Sequence, residues 1–337
     1  MSNFSPSPSS TLQRPDIGIA LTEYELGQHA MTSIADQVLP VQEVSEYTGN
    51  YGKFEAVEMA QDADDLKRAP GGTYSRFDYK FTQDNYETFE YGPEMVLDQR
   101  FMHSYKYVAG GDKEIFRMIA ASIARDMLKL AEEKRVAAAV FDTAVWTGAS
   151  LATSVTTEWS NASSGAPTTD VKAAKVKIRE LIGGVREQDL VAIMSDVVRD
   201  NLRVSDDITG KVQYVRPTNQ MDITDGDIAR ALGVGRLLVG GSWKPTHEQG
   251  ASAAAFGQVW DDEYCMIAKI SKTGVSGLLS MGIGRQFHWN EDGSQPDGLV
   301  ESYFSNEKRA EVIRVRHQKG EKIELVGAGH LLSNITA

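Results

Sequence analysis

The residues of this chain that could do chemistry do not stand at the spacings that catalytic or metal sites require. Its six histidines, at positions 29, 103, 247, 288, 317 and 330, are separated from one another, and Cys265 is the only cysteine. A zinc site needs several His or Cys ligands at short, regular spacings, such as His-Glu-x-x-His. We therefore predict structural roles for the histidines and no metal site.

Adjacent acidic residues form a second group of interest, because paired carboxylates can bind a cation or move a proton. Such pairs occur at Asp64-Asp65, Asp206-Asp207 and Asp261-Asp262. Ser195 and Ser205 also lie beside acids, but neither has the Gly-x-Ser-x-Gly pattern of an exposed nucleophile. We interpret the acids as turn residues that face solvent, and we predict no catalytic residue.

One glycine motif, Gly233-Val234-Gly235, bears on cofactor binding. A phosphate-binding loop connects a strand to the N-terminus of the helix that follows it. Here the apolar pattern places a helix before the glycines and a strand after them, which is the reverse order. The motif therefore indicates the end of a helix, and the sequence predicts neither a cofactor nor enzymatic activity.

Length and composition bound the class of protein. At 337 residues the chain exceeds the size at which one hydrophobic core usually stops growing, so we expect two packed units. Its 41% of hydrophobic and 24% of charged residues are typical of soluble globular proteins. The formal net charge of -12 leaves only weak, non-specific contact with nucleic acid. The sequence has no apolar run of membrane-spanning length and no secretion signal, which indicates a cytoplasmic protein.

Residues 112–141 carry the clearest structural signal. They contain no Gly or Pro, and apolar residues recur at spacings of three and four: Ile115, Phe116, Ile119, Ile123, Met127, Leu130 and Ala137. Asp112 is the predicted N-cap, and Glu114 places a negative charge where the helix dipole favours it. We predict one helix of about thirty residues and roughly 45 Å. Its charged residues exclude a membrane span, so we interpret it as a strut.

Residues 74–91 predict a long β-hairpin. Aromatic residues alternate with charged ones on both sides of a predicted turn at Gln83-Asp84-Asn85. Upstream, residues 41–58 are predicted to be extended, with a turn at Thr48-Gly49-Asn50. No large apolar run nearby in the sequence could cover the hairpin, and an isolated two-stranded ribbon is only marginally stable. We therefore expect it to pack on another copy of the chain.

The rest of the chain divides into a terminal arm and an α/β region. The first sixteen residues are rich in Ser and Pro, which predicts a flexible arm. From residue 168 we predict a helix capped by Thr169 or Asp170, a strand at 190–194, a helix capped by Ser195, and a helix from Thr224 before a strand at 236–239.

Four later segments are predicted as strands. Apolar segments 263–270, 278–288 and 299–304 are expected to close the sheet of the α/β unit. Residues 312–326 are expected to form a second hairpin beneath the long helix, with its turn at residues 318–321.

Several short phrases occur in a distinctive order. They are residues 34–41 (Ile-Ala-Asp-Gln-Val-Leu-Pro-Val), 68–71 (Arg-Ala-Pro-Gly), 131–135 (Ala-Glu-Glu-Lys-Arg), 227–233, 237–240, 259–264, 301–303, 308–309, 315–317 and 329–332. Taken in this order, they resemble the major capsid proteins of tailed bacteriophages with the HK97-like fold. The resemblance covers nearly the whole chain from about residue 14.

The resemblance implies an α+β capsid fold with four parts. Residues 1–40 would be an N-terminal arm, and residues 41–97 an extended β-hairpin loop that lies over a neighbouring subunit. Residues 98–167 and 301–337 would form the peripheral domain around a spine helix at 112–141. Residues 168–300 would form an α/β axial domain at the centre of each capsomer.

The same resemblance implies a structural protein that assembles with itself, as hexamers and pentamers, into an icosahedral head shell around a double-stranded DNA phage genome. The implied partners are a portal, a scaffolding protein, packaged DNA held non-specifically and, in some shells, a decoration protein; no membrane is implied. Because the arm-like sequence begins almost at Met1, we expect a separately encoded scaffold or a mature form of the chain. The implied location is the virion capsid, assembled in the host cytoplasm.

Four charged residues in and beside the extended loop are candidate contacts between subunits: Arg68, Arg76, Asp98 and Arg100. An exposed ion pair contributes at most about 1 kcal/mol, but a shell repeats each contact over all its copies. Two alternatives remain open at this point. An encapsulin-like nanocompartment shell would hold a protein cargo instead of a genome, and a cytosolic α/β enzyme would have a deep pocket with converging polar groups.

Overall fold

The structure is a computed structural model that describes residues 12–13, 32–53, 67–68, 70, 72–74, 76, 82–104, 113–215, 223–247, 255–272 and 282–336. The strands are β1 Leu12–Gln13, β2 Val41–Val44, β3 Thr48–Lys53, β4 Thr82–Glu87, β5 Phe89–Tyr91, β6 Glu94–Asp98, β7 Ala152–Ser154, β8 Leu190–Ser195, β9 Arg236–Gly240, β10 Trp243–Pro245, β11 Phe256–Gln258, β12 Tyr264–Lys269, β13 Gly284–Trp289, β14 Leu299–Ser305, β15 Ala310–Ile323 and β16 Gly329–Ser333. The helices are α1 Ala35–Val38, α2 Gln99–Ser104, α3 Lys113–Val140, α4 Pro167–Ile182, α5 Asp196–Val204, α6 Asp206–Val215 and α7 Asp225–Leu232.

Strand β15 is the central strand of a seven-stranded sheet and pairs with four of its other strands. Its first half pairs with β14 on one side and β6 on the other, so that Ile313 lies between Ser302 and Met95. Its second half pairs with β13 and β5. The hairpin predicted around residues 318–321 is wrong, because these residues continue a single strand of 14 residues.

A second sheet has five strands in the order β7-β16-β12-β8-β9. Every residue of β8 is buried, because both faces of the sheet are covered. Leu190, Ala192 and Met194 pack in a core with helices α4 to α7. Val191 and Ile193 point to the other face, into a core that includes α1 and the end of α3. The predicted α/β unit is therefore present, with a mixed sheet at its centre.

Sheet membership differs from the prediction for three strands near the end of the chain. β13 and β14 pair with β15 in the seven-stranded sheet and do not close the α/β unit. β16 pairs with β12, so this late strand belongs to the five-stranded sheet. The pairings of β13 with β15 and of β16 with β12 join segments that are distant in sequence, and an apolar pattern alone does not specify them. The division of the chain into arm, loop and two domains stays a prediction.

Helix α3 spans both sheets, as a strut should. It has 28 residues and is about 42 Å long at 1.5 Å per residue. Its first half packs Ala120, Ala124 and Leu128 on the seven-stranded sheet, and Val136 and Val140 in its second half enter the core beside the five-stranded sheet. The predicted N-cap, Asp112, lies outside the described residues.

An apolar ladder on α3 faces solvent. Ile115, Ile119, Ile123 and Met127 follow one another at intervals of four residues, and each is between 41% and 52% exposed. The apolar stripe of a helix normally faces a core, but here small alanines occupy the face that meets the sheet. The ladder is the part of the predicted stripe that this chain's described residues leave uncovered.

Three predicted helix ends are confirmed. Ser195 caps α5, with its hydroxyl accepting a hydrogen bond from the Val198 amide at 3.3 Å. Thr224 caps α7 in a reciprocal arrangement with Asp227. Gly233 ends α7 in the left-handed conformation, at φ 66°, which glycine adopts without strain.

The predicted start of α4 is wrong. Ala166 precedes the helix without a side-chain cap, and Pro167 occupies the first turn. The free amide of Thr168 instead donates to Asp207 at 3.0 Å, so a residue from α6 does the capping. Asp207 also accepts from the Thr168 hydroxyl at 2.6 Å. The expectation that Asp206-Asp207 is a solvent-facing turn is therefore wrong for Asp207.

Gly320 in β15 provides a test of this fold. A Cβ atom there would lie 2.0 Å from the backbone oxygen of Glu87, which cannot move without displacing β4. We expect Gly320→Ala to lower the free energy of unfolding by about 1–3 kcal/mol, because overpacking forces the backbone apart. Urea unfolding measures the loss.

The matched control is Gly210→Ala in α6, where an added Cβ would meet nothing within 4 Å. This change should leave stability unchanged or raise it by up to about 1 kcal/mol. Equal stability of the two variants would contradict the close approach of β15 to the β4–β5 connection.

Candidate functional site

Strands β3 and β4 form the base of a two-stranded ribbon. They pair antiparallel over six residues each, with Asn50 opposite Asn85. The turns predicted at residues 48–50 and 83–85 are wrong, because both segments belong to these strands and pair across the ribbon. The predicted hairpin at 74–91 is thus replaced by a longer one, whose connecting residues 54–66 and 77–81 lie outside the described part of the chain.

The base of the ribbon packs on its own chain. Tyr86 stacks on Phe287 of β13 with ring centroids 4.5 Å apart, and Tyr51 lies 5.5 Å from the same ring. Asp84 accepts a hydrogen bond from Lys322 of β15 at 2.9 Å. The expectation that the ribbon packs only on another copy is therefore wrong for these strands. It stays a prediction for the residues beyond them.

The four predicted contact residues are exposed and lie in two places. On the loop, the Arg68 guanidinium donates to the Gly72 carbonyl at 2.6 Å, and Arg76 lies further along. Asp98 ends β6 and accepts a hydrogen bond from the amide of Arg100, at the start of α2, at 2.7 Å. Their contact with a neighbouring subunit stays a prediction.

A cluster of charges, which the sequence analysis missed, lies where α1, α3 and β15 meet; three of its members are buried, and Asp36 is 43% exposed. Lys319 of β15 is fully buried; it donates to Glu132 of α3 and, at 3.2 Å, to Asp36 of α1. Lys129 of α3 also donates to Asp36, at 3.1 Å, and lies 3.3 Å from Glu132. Two ammonium groups thus alternate with two carboxylates, which gives each buried charge an opposite neighbour. We call these four residues the charge cluster.

Within the charge cluster, the pKa shifts of Asp36 and Lys129 favour their ionised forms. Burial alone would raise the pKa of Asp36, but Lys319 and Lys129 together hold that pKa far below its usual value. Burial alone would lower the pKa of Lys129, but Glu132, Asp36 and Asp297 raise it above its usual value. Burial raises the pKa of Glu132, against the opposing effect of the two lysines.

Glu133, the next residue along α3, makes a second buried connection. One carboxylate oxygen accepts hydrogen bonds from the Trp260 indole at 2.8 Å and from the Ile34 amide at 3.3 Å. The other accepts from the Ser242 hydroxyl. Since Ser242 and Trp260 follow β9 and precede β12, this single carboxylate links α3 to the five-stranded sheet and to the segment before α1.

The buried histidines contact structural neighbours. His317 is fully buried beside Arg135 and Tyr91, and burial lowers its pKa to about 2, with Lys319, Arg135 and Lys129 adding to the effect. His330 lies 2.9 Å from the Thr153 hydroxyl and 3.0 Å from the Ser150 carbonyl. Both are therefore neutral at physiological pH.

The described residues contain no constellation that would support catalysis. No group of three or more His, Cys, Asp or Glu side chains among them converges in a way that could hold a metal ion. The Ser195 hydroxyl accepts the hydrogen bond that caps α5, and Ser205 is buried. Of the helices that the structure describes, none has the length and apolar character to cross a membrane.

Known structures share this fold, although no protein-family model and no curated protein sequence matches the chain. A phage-related protein from Bordetella bronchiseptica is similar with a TM-score of 0.67 and 19% identity, over 96% of this chain and 98% of that one. A virus-like particle from Pyrococcus furiosus is similar with a TM-score of 0.51 and 11% identity, over 95% and 98%. The capsid of Cyanophage P-SCSP1u is similar with a TM-score of 0.50 and 10% identity, over 88% and 86%.

These similarities confirm the resemblance at the level of the fold. The chain has an α+β fold of the HK97-like kind, the fold of phage capsid proteins. At identities of 10% to 19% the comparisons establish the architecture of the chain, and its activity and partners have to be argued separately.

The charge cluster predicts a large effect of removing one partner. Lys319→Met keeps most of the side-chain volume but leaves Glu132 and Asp36 with one ammonium group instead of two. We expect a loss of about 3–5 kcal/mol in the free energy of unfolding at pH 7, because the buried carboxylate of Glu132 loses one of its two cations. The control Lys322→Met breaks a partly exposed pair with Asp84 and should cost less than about 1 kcal/mol. Similar losses in both variants would contradict the cluster.

The lowered pKa of Asp36 predicts a specific dependence of stability on pH. A carboxylate whose folded pKa lies below its unfolded value of about 3.9 stabilises the fold above that pH and loses this contribution as the pH falls through the folded pKa. We expect Asp36→Asn to be less stable than the parent from pH 8 to pH 5, with the difference narrowing below about pH 4. Urea unfolding across this range measures it. A difference that widens in acid would contradict the assignment.

Proposed function

We propose that this chain is the major capsid protein of a tailed phage and assembles with itself into an icosahedral shell that encloses double-stranded DNA. The observation that carries the proposal is the shared fold, which extends over nearly the full length of this chain and of a phage-related protein, and over 86% of a cyanophage capsid chain. A fold alone does not establish a function. Two features of the described residues add support, namely a rigid body and surfaces that this body leaves uncovered.

The rigid body suits a shell subunit. Helix α3 packs on both sheets, and the charge cluster with Glu133 fixes that arrangement through buried polar contacts. A body of this kind could bear load across a lattice without changing shape. The apolar ladder on α3 is an exposed surface of the type that monomeric proteins rarely keep.

We assign segments of the chain to the parts of the capsid fold that the resemblance implies. The arm is residues 1–40, the extended loop is 41–97, and α3 is the spine of the peripheral domain. The pairing of the strands favours two changes to the division into peripheral domain (98–167, 301–337) and axial domain (168–300). Strands β13 and β14 go with the peripheral sheet, and β16 goes with the axial one.

A phage head shell would need several partners. Copies would form hexamers and pentamers, with Arg68, Arg76, Asp98 and Arg100 among the contacts between them. A portal and a separately encoded scaffold would act in assembly in the host cytoplasm, some shells would carry a decoration protein, and packaged DNA would be held non-specifically. The chain would then act without enzymatic chemistry or a cofactor, as part of the virion.

A nanocompartment shell is the second candidate. The likeness to a virus-like particle supports it, since that particle shares the fold at a TM-score similar to that of the phage capsid. The two candidates differ in content, because a nanocompartment encloses protein where a phage head encloses a genome. A cytosolic enzyme has less support, since the described residues bring no catalytic groups together.

Expression of the full chain tests the proposal, with and without the neighbouring genes that would encode a scaffold and a portal. Sedimentation and negative-stain microscopy should show large, uniform, closed particles. Digestion with a nuclease should leave protected double-stranded DNA in particles made during infection. Protected protein cargo without DNA would favour the nanocompartment, and a monodisperse monomer under every condition would contradict both shell proposals.

A further inference from the structure

The five-stranded sheet has two chemically different ends. Strands β8 and β9 run parallel, with Val191 opposite Arg236 and Ser195 opposite Gly240, so both start at one end and finish at the other. Strand β12 runs the opposite way, which places Lys269 opposite Leu190 at the starting end and Tyr264 at the finishing end. Six residues of strand separate the two ends by about 17 Å.

The end where β8 and β9 start is basic. Five cations lie on the residues that enter or leave the strands there: Arg186, Arg230, Arg236, Lys269 and Lys272. The side chains of Arg186 and Arg230 are 70% and 83% exposed, respectively. Burial lowers the pKa of the Lys269 ammonium, and Lys272 and Arg186 lower it further against the opposing effect of Asp189.

Three carboxylates temper the basic end without neutralising it, and one of them, Asp227, lies 3.6 Å from Arg230. Asp189 pairs with Arg186 at 2.9 Å, and Glu187 is held by Lys175 at 3.1 Å. A surplus of positive charge therefore remains among the described residues of this end.

The end where β8 and β9 finish is acidic and aromatic. An open groove of about 540 Å³ lies there, lined by Trp243, Asp261 and Asp262 among others, with Lys244 as the cation in its wall. Asp196, directly after β8, accepts hydrogen bonds from Trp243 at 3.4 Å and from Gln258 at 3.2 Å. Trp243 is 41% exposed although its ring is large and apolar. A groove with carboxylates beside an indole face suits a guanidinium or ammonium group.

We infer that the basic end of one copy docks in the acidic groove of a second copy, so that successive copies join head to tail around a ring. The two surfaces cannot meet within one chain, because they lie at opposite ends of the same sheet. Two different patches on identical copies make a heterologous interface, which closes into a ring when the rotation between copies allows it. The inference rests on the proposed shell and adds which surfaces join the copies within a ring.

Charge complementarity is the reason to choose a second copy as the occupant. One chain carries both the surplus of cations and the carboxylate groove that would receive them, and complementary potentials of this kind fix partner and register. A nucleic acid would match only the basic end, and a cationic peptide only the groove. The pairing of both ends requires another copy of the same chain.

Charge reversal at each end, followed by mixing, tests the inference. One variant carries Arg186→Glu with Lys272→Glu, and the other carries Asp261→Lys with Asp262→Lys. In either variant by itself, the two docking surfaces carry charge of the same sign and repel each other. The amount of assembled protein, measured by sedimentation and native mass spectrometry, should therefore fall at least about 10-fold. An equimolar mixture should assemble again, because each interface would then alternate between the two variants.

The mixture makes a prediction that a general loss of folding does not. Alternation closes only rings with an even number of subunits, so hexamers should return while pentamers stay absent. Circular dichroism and thermal unfolding of each variant show whether it folds. If a variant does not fold, carbodiimide cross-linking of the isotope-mixed parent protein replaces it, and should join Lys269 or Lys272 to Asp261 or Asp262 between copies.

Three results would overturn the inference while leaving the shell intact. The first is normal assembly of either charge-reversed variant. The second is an equal loss of assembly in the control variant Lys177→Glu with Lys308→Glu. The third is a basic-end variant that assembles normally into shells but whose shells lack nucleic acid. Failure of the parent chain itself to assemble would instead contradict the proposed function. The two failures are therefore distinguishable.

Discussion

Two adjacent carboxylates on one helix hold the parts of this protein together. Glu132 and Glu133 are both fully buried, and they face different neighbours because successive helical residues point about 100° apart. Glu132 meets Lys319 of the seven-stranded sheet, and Glu133 meets Trp260 and Ser242 beside the five-stranded sheet. The segment around α1 joins the same two sites, because Asp36 accepts a hydrogen bond from Lys319 and the Ile34 amide donates to Glu133. A buried carboxylate tolerates only a well-paired environment, so these contacts allow one relative arrangement of helix, sheets and arm end.

The same constraint bears on strands β3 and β4. The base of the ribbon rests on Phe287 and Lys322, both of which belong to strands that the charge cluster orients. Strands β3 and β4 are therefore held on the body in one orientation. The apolar ladder and the two charged ends of the five-stranded sheet belong to elements that the same buried contacts hold together. In the proposed shell, weak contacts made by such preset surfaces would add up over many copies, so that no single interface would have to be strong.

Local signals in the sequence predicted the local structure well. The absence of Gly and Pro over residues 112–141 indicated α3, and Ser195, Thr224 and Gly233 marked helix ends where the structure has them. The order of short phrases indicated the fold. The turns predicted at residues 48–50 and 83–85 were wrong because polar residues that alternate along an exposed ribbon resemble turn residues in composition.

Non-local contacts could not be predicted in this way. Lys319 and Glu132 are 187 positions apart, and the charged run at residues 132–135 gave no sign that its first two members are buried. Charged residues are almost always exposed, so burial of a pair becomes visible only when the distant partner is placed. The same holds for β13, β14 and β16, whose sheets are decided by pairing. The exposure of Ile115, Ile119 and Ile123 likewise depends on what the rest of the chain covers.

A reconstruction by electron cryomicroscopy of particles formed by the full chain tests the central claim most directly. The account predicts a closed lattice made of this chain, in which every copy keeps α3, both sheets and the buried Glu132 and Glu133 contacts as one rigid body, with differences between copies confined to the arm and loop. It would be contradicted by a chain that stays monomeric with no lattice, or by copies in which α3 separates from either sheet.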